Sequence, residues 1–207
     1  MKNKTHIPPL RFRFLTFAYD FVCSFIGLGK EFKQKIIEKT DISSNKKVID
    51  IGCGTGVLTL EIKRKLCNAQ VTGIDPDKDA HAIAIKKAKK ERLEIDFFIT
   101  GAEKLPFKNN SFDFAISSLA FHHMPLEIKK AAVKEKFRIL KSKGKFYIFD
   151  FKPRKMTFLN FWTFREMEYA RDNYEGKIRA LLTDAGFQDI TKIMTTHCVL
   201  ELIEARK

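Results

Sequence analysis

Fifteen residues, Lys47-Val-Ile-Asp-Ile-Gly-Cys-Gly-Thr-Gly-Val-Leu-Thr-Leu-Glu61, constrain the fold of this 207-residue chain more than any other stretch. Val48 to Ile51 is short, β-branched and apolar apart from Asp50, the pattern of a strand buried in a parallel sheet. It runs straight into Gly52, Gly54 and Gly56, after which Val57, Leu60 and Ile62 open a helical pattern. Glycines at such a junction let the backbone turn tightly and approach a ligand, and the helix start offers free N–H groups. The acid comes first, as Asp-x-Gly-x-Gly-x-Gly, whereas a dinucleotide fingerprint spaces its glycines G-x-G-x-x-G. Asp50 at the strand end therefore suits a cationic or hydroxylated ligand better than a pyrophosphate.

The rest of the chain repeats the strand–helix alternation. Residues 69–75 read as a second strand, and Asp75 at its carboxyl end can accept both hydroxyls of a ribose. The competing reading is that Asp75 and Asp77 only cap the following helix, for which Pro76 is a good first residue. That helix spans 77–92, with Ala80, Ile83, Ala84 and Ala88 inward. Strands follow at 95–100 and 111–119. Ligands of an open α/β sheet collect at the carboxyl ends of its strands, which places Ser117 and Ser118 beside a ligand and Phe121, His122 and His123 beyond it. His122 is the candidate general base; the alternative is that His122 or His123 packs and caps the next helix, 126–140. Lys143-Gly144 ends that helix. A strand at 145–151, a helix at 177–185 and paired strands at 189–194 and 198–205 close the chain. This order predicts an α/β, doubly wound, mostly parallel seven-stranded sheet with an antiparallel edge strand.

Residues 1–45 form a separate N-terminal arm in this reading, ahead of a domain at 46–207. Residues 10–28 carry six aromatics, of which Phe14, Phe17, Phe21 and Phe25 recur at helical spacing. They predict a helix that packs on the core, closes over the acceptor pocket as a lid, or meets a membrane surface with help from Arg11 and Arg13. A second amphipathic helix spans 30–39, with Phe32, Ile36 and Ile37 on one face.

Several motifs in one order resemble the class I S-adenosylmethionine-dependent methyltransferases. They are Asp50-Ile-Gly-Cys-Gly-Thr-Gly56, Asp75, Gly101-Ala-Glu-Lys-Leu-Pro-Phe107 and Phe137-Arg-Ile-Leu-Lys-Ser-Lys-Gly144. The resemblance covers roughly residues 15–190, and the chain is most similar to the ubiquinone/menaquinone-biosynthesis type. It implies a Rossmann-like sheet, S-adenosyl-L-methionine as methyl donor, S-adenosyl-L-homocysteine as product, and a quinone, lipid or other planar metabolite as acceptor. The implied donor-binding residues are Tyr19, Asp50, Gly52, Gly54, Gly56, Asp75, Pro76, Ala102, Glu103 and Ser117. The family's usual aspartate, which contacts the adenine amino group, aligns with Gly101, leaving the Ala102 N–H and the Glu103 side chain as substitutes. The aromatic, basic segment 151–174 resembles the insert that builds the acceptor pocket in such enzymes, and a core role explains most of its aromatics equally well.

Composition decides between acceptors. The net charge of +14 raises nucleic acid or an anionic membrane surface as partners. Yet 29 of the 39 basic residues are lysines spread along the chain, and the densest cluster, 86–92, has no interleaved aromatics for base stacking. Ser117-Ser-Leu-Ala stands where amino-group nucleic-acid methyltransferases carry Asn-Pro-Pro-Tyr. The resemblance makes a small molecule the expected acceptor, and these features count against nucleic acid; RNA or protein methylation, or a catalytically silent donor-binding subunit, are the alternatives. The four cysteines form no C-x-x-C pair, so neither a metal site nor a disulfide framework is expected. No apolar run approaches the roughly 20 residues of a spanning helix, and Arg11 and Arg13 interrupt any signal-like stretch. The expected location is cytoplasmic, and no pattern fixes the oligomeric state.

Overall fold

A computed structural model describes residues 27–151, 176–196 and 200–207. Residues 10–26 of the expected N-terminal helix, Tyr19 among them, most of the aromatic segment 151–174 and Cys198 lie outside the described residues.

The described elements are α1 (Lys30–Glu38), β1 (Lys47–Ile51), α2 (Val57–Lys65), β2 (Gln70–Asp75), α3 (Lys78–Lys90) and β3 (Asp96–Ile99). There follow β4 (Phe112–Ser118), a 3₁₀ turn (Phe121–His123), α4 (Leu126–Ile139) and β5 (Leu140–Phe151). The chain closes with α5 (Lys177–Asp184), β6 (Gln188–Thr196) and β7 (Leu200–Arg206). One sheet of order β3-β2-β1-β4-β5-β7-β6 holds all seven strands. Neighbours from β3 to β5 are parallel, and β7 enters between β5 and β6 antiparallel to both. The doubly wound, seven-stranded expectation is met. Strand order reverses between β1 and β4, and a crevice opens at the carboxyl ends beside such a switch point.

Alternation along the central strands builds a core on each face, since successive strand residues point to opposite sides. Ile49, Ala115, Phe146 and Ile148 belong to one core; Val48, Ile116, Tyr147 and Phe149 belong to the other. Helix α1 joins this second core through Phe32, Ile36 and Ile37, and the Phe32 ring meets Phe149 edge-on at 5.1 Å. Helix α3 buries only Ala80, Ala84 and Ala88, so its backbone can lie close to the sheet. The Asp77 carboxylate caps it by accepting from the Asp79 and Ala80 N–H groups, at 2.8 and 3.2 Å.

One boundary differs from expectation. The sequence predicts that the Lys143-Gly144 turn separates α4 from a strand beginning at Lys145. Instead β5 starts at Leu140 directly after α4, with a register shift against β4 between Phe112 and Phe114. Leu140 pairs with Phe112 of β4, and Lys207 holds the following residues: Lys143 N donates to Lys207 O, and Lys207 N donates to Gly144 O. Among the described residues no helix is long and apolar enough to cross a membrane.

Candidate functional site

A cavity of about 420 Å³ opens at the carboxyl ends of β1, β2 and β4. Its floor is the glycine turn. Gly52, Gly54 and Gly56 all adopt left-handed φ angles, 74°, 52° and 80°, which other residues enter only under strain. The Gly52 and Cys53 N–H groups both donate to Ile74 O at 2.9 Å, stapling the turn to the end of β2. A Cβ at Gly52 would lie 2.5 Å from the Ala120 Cβ, whereas one at Gly54 would meet no protein atom within 4 Å. Gly54 therefore presents bare backbone to the cavity rather than to the core.

Two acids flank that floor. Asp75 is 8% exposed and lines the cavity. Its Oδ2 accepts from Gly54 N and its Oδ1 from Asp77 N, both at 2.8 Å. The same carboxylate thus shapes the turn and faces the ligand space. Asp50, 1% exposed, accepts from Thr59 Oγ1 at 2.6 Å through Oδ2. Its other oxygen, Oδ1, is buried with no hydrogen-bond partner among the described residues. Burial lifts the Asp50 carboxyl to about 6, against the lowering effects of the Thr59 hydrogen bond and the Lys33 cation.

Helix α1 supplies a wall that the sequence reading missed. Leu28, Gly29, Lys30 and Lys33 all border the cavity. Lys33 is 9% exposed, and its Nζ donates to Ser118 Oγ at 2.7 Å. A signal for it was present, because Lys33 stands three and four residues before the buried Ile36 and Ile37, on the apolar face. On the far side, Gly101, Ala102 and Glu103 form the wall, with Pro76 nearby. A Cβ at Gly101 would come within 2.4 Å of the Glu103 carboxylate. The Glu103 head group therefore fills the space where an aspartate at 101 would begin. The loop is braced from α4: Glu135 accepts from Leu105 N at 2.7 Å, and Arg138 donates to the Leu105 and Phe107 carbonyls.

Two expected residues shift by one position. Ser117 is 1% exposed and donates to Ile51 O at 2.9 Å, tying β4 to β1. Ser118 is the serine on the cavity wall, because adjacent strand residues face opposite ways. Leu119 and Ala120 follow it along the wall, Leu119 with a left-handed φ of 56°. His122 is 4% exposed, and its Nδ1 lies 2.8 Å from Asp150 Oδ1. Asp150 Oδ2 accepts from Phe121 N at 2.8 Å. Burial pushes the Asp150 carboxyl up, but the charge and hydrogen bond of His122 outweigh it and hold it below the ordinary value. His123, not His122, borders the cavity, with the two imidazoles 3.9 Å apart. The 3₁₀ turn sends one ring into the core and the next into the crevice. Among the described residues no group of three or more His, Cys, Asp or Glu side chains could hold a metal ion.

Comparison with known proteins agrees with this geometry. A family model described as a methyltransferase domain matches residues 48–144. A ubiquinone/menaquinone biosynthesis C-methyltransferase of Rickettsia felis is 26% identical over 176 residues, covering 71% of this chain and 70% of the relative. A protein of Haemophilus influenzae is 30% identical over 118 residues, 56% of this chain; the match spans about half, 47%, of that relative's length. Among solved structures, phosphoethanolamine N-methyltransferase 2 of Haemonchus contortus in complex with S-adenosyl-L-methionine superposes with a TM-score of 0.80 at 17% identity. That likeness covers 95% of this chain and 57% of the other, and at such identity it shows the fold.

Proposed function

We propose that the chain is a class I S-adenosylmethionine-dependent methyltransferase that methylates a small molecule, a quinone, lipid or other planar metabolite. One observation carries the donor end of this reading. Asp50 Oδ1 is a buried carboxylate oxygen without a hydrogen-bond partner among the described residues, beside a glycine turn that leaves room for a ligand. A buried acceptor of that kind is costly unless a ligand satisfies it, and the α-ammonium of S-adenosylmethionine has the right charge. The other residues fit as well. Gly54 admits close approach of the amino-acid end, Asp75 turns a carboxylate toward ribose hydroxyls, and Gly101 to Glu103 offer the purine edge a carboxylate and backbone N–H groups. When bound, S-adenosylmethionine supplies an electrophilic methyl group on a sulfonium.

The protein's own contribution is to hold, orient and desolvate. The turn and the two acids form the floor of the cavity, while α1, Ser118 to Ala120 and His123 to Pro125 bound it further. For an acceptor that reacts through an O–H, His123 is the cavity-lining imidazole able to take the proton, and His122 supports it by packing. Support for a small acceptor comes from the likeness to ubiquinone/menaquinone biosynthesis C-methyltransferases and from the cavity itself. The test is incubation with methyl-tritiated S-adenosylmethionine and four acceptor pools: reduced quinones, phospholipids, bulk RNA and bulk protein. Label in the quinone or lipid extract is the expected result. Label confined to RNA or protein, or donor binding with no transfer to any pool, overturns the proposal.

A further inference from the structure

Behind the cavity wall lies a charge that the donor site does not use. Lys136, in the last turn of α4, is 0% exposed. A lysine head group seldom gives up all its water without a strong reason. Its Nζ donates to Ala102 O at 3.1 Å and stands 5.8 Å from the centre of the Phe121 ring. The charged groups that face it are Glu103 from the loop and Glu135 from its own helix. Arg138, two positions further along α4, is held by Glu135 and by the Leu105 carbonyl. His122, on the Phe121 turn, is already paired with Asp150.

Ala102 and Glu103 are the residues this ammonium touches or attracts, and both line the cavity at its purine end. That end is also where the chain departs from its family's pattern. Gly101 stands where the family's pattern has an aspartate, and the carboxylate of Glu103, two positions on, folds back over the glycine. Such a loop has more conformations to lose on binding than one with a short acid at 101. A buried cation directly behind it restrains both its backbone and its carboxylate.

We propose that Lys136 is a positioning residue of the donor site, whose ammonium fixes the Ala102 carbonyl and draws Glu103 into place, so that the donor binds best while Lys136 is protonated. This rests on the donor-site reading above. Burial pulls the Lys136 amine down to about 7, with Glu103 and Glu135 opposing the fall, so the proton is exchanged within the neutral range. The neutral amine can still donate to Ala102 O. It loses its attraction for Glu103 and for the ring face, and a charge-assisted hydrogen bond is about twice as strong as a neutral one.

The experiment is calorimetric titration with S-adenosylhomocysteine, which carries no sulfonium, at half-unit steps from pH 6.5 to 8.5. Wild type is compared with Lys136→Met, which keeps the volume, and Lys136→Arg, which keeps the charge without titrating. Wild-type affinity is expected to fall about fivefold across the range, the scale of one charge-assisted contact. Lys136→Met should bind with the weaker, high-pH affinity throughout, and Lys136→Arg should show no slope. The wild-type and Lys136→Arg profiles alone test the inference where Lys136→Met does not fold. A slope that survives in Lys136→Met or Lys136→Arg, or a wild-type affinity that is flat or rises, overturns it. Absence of binding by any variant at any pH instead sinks the donor-site reading, and the inference with it.

Discussion

Removing the Asp75 carboxylate perturbs the donor site most directly. The side chain accepts two backbone hydrogen bonds of 2.8 Å and also lines the cavity. An ionised carboxylate has about four acceptor positions, so these two bonds do not exhaust it. In Asp75→Ala the Gly54 and Asp77 N–H groups lose their partner. An unsatisfied buried donor costs about 1–3 kcal/mol, but water entering from the cavity relieves part of this, leaving ~2 kcal/mol of lost stability. The loss in donor affinity is larger, because each hydrogen bond to a charged acceptor contributes about 1.5–3 kcal/mol and the glycine turn loosens too. About 3 kcal/mol corresponds to roughly 100-fold in dissociation constant. Asp75→Asn keeps one acceptor oxygen and turns an NH₂ toward the other N–H, so it should be the more stable variant yet still bind weakly. Calorimetric titration with S-adenosylhomocysteine reads the affinity, and thermal unfolding of the same samples reads the stability. A folded Asp75→Ala protein with wild-type affinity would refute the reasoning: the carboxylate would then serve only the turn.

Three further outcomes follow from the same geometry. Gly56→Ala places a side chain at φ 80° with its Cβ 2.9 Å from the Ala84 Cβ; strain and overpacking should cost about 2–4 kcal/mol, and an unchanged melting temperature would contradict the close packing of α2 on α3. Asp50 rises from 3.8 to about 6 on folding, so the folded state binds the extra proton and stability is lost as pH rises from about 4 to 6, by ~3 kcal/mol. S-adenosylmethionine should favour the ionised form, so its affinity should climb over the same interval, and Asp50→Asn should abolish that climb. Asp150 lies below its ordinary value, so its stabilisation is present above about pH 4 and lost as pH falls further. Asp150→Asn should cost about 3 kcal/mol at neutral pH and flatten the acid limb of the unfolding profile; an acid limb identical to wild type would show that the His122 pair contributes nothing.

The parts of the site that the sequence made legible are those fixed by strand ends. Parallel pairing sets Asp50 opposite Gly73 and Ile51 opposite Ile74. An acid ending β2 therefore arrives beside the glycine turn whatever the details of packing. Where the choice lay between neighbours, the sequence was silent. Ser117 and Ser118 are chemically identical and one residue apart, and only the register of β4 between β1 and β5 decides which faces the crevice. His122 and His123 differ in the same way across a 3₁₀ turn. Lys33 and Lys136, two of the three buried lysines among the described residues, went unread for another reason. A basic residue on an amphipathic helix is normally assigned to water, since lysine carries its charge back to solvent. Yet the residues three and four positions from Lys136 in both directions, Ala132, Val133, Ile139 and Leu140, are all fully buried, and Lys33 shares its face with Ile36 and Ile37. A charge on a buried stripe breaks the helical pattern at a cost in desolvation, and such violations concentrate where function repays them. Here Lys33 lines the cavity, and Lys136 stands directly behind Ala102 on its wall.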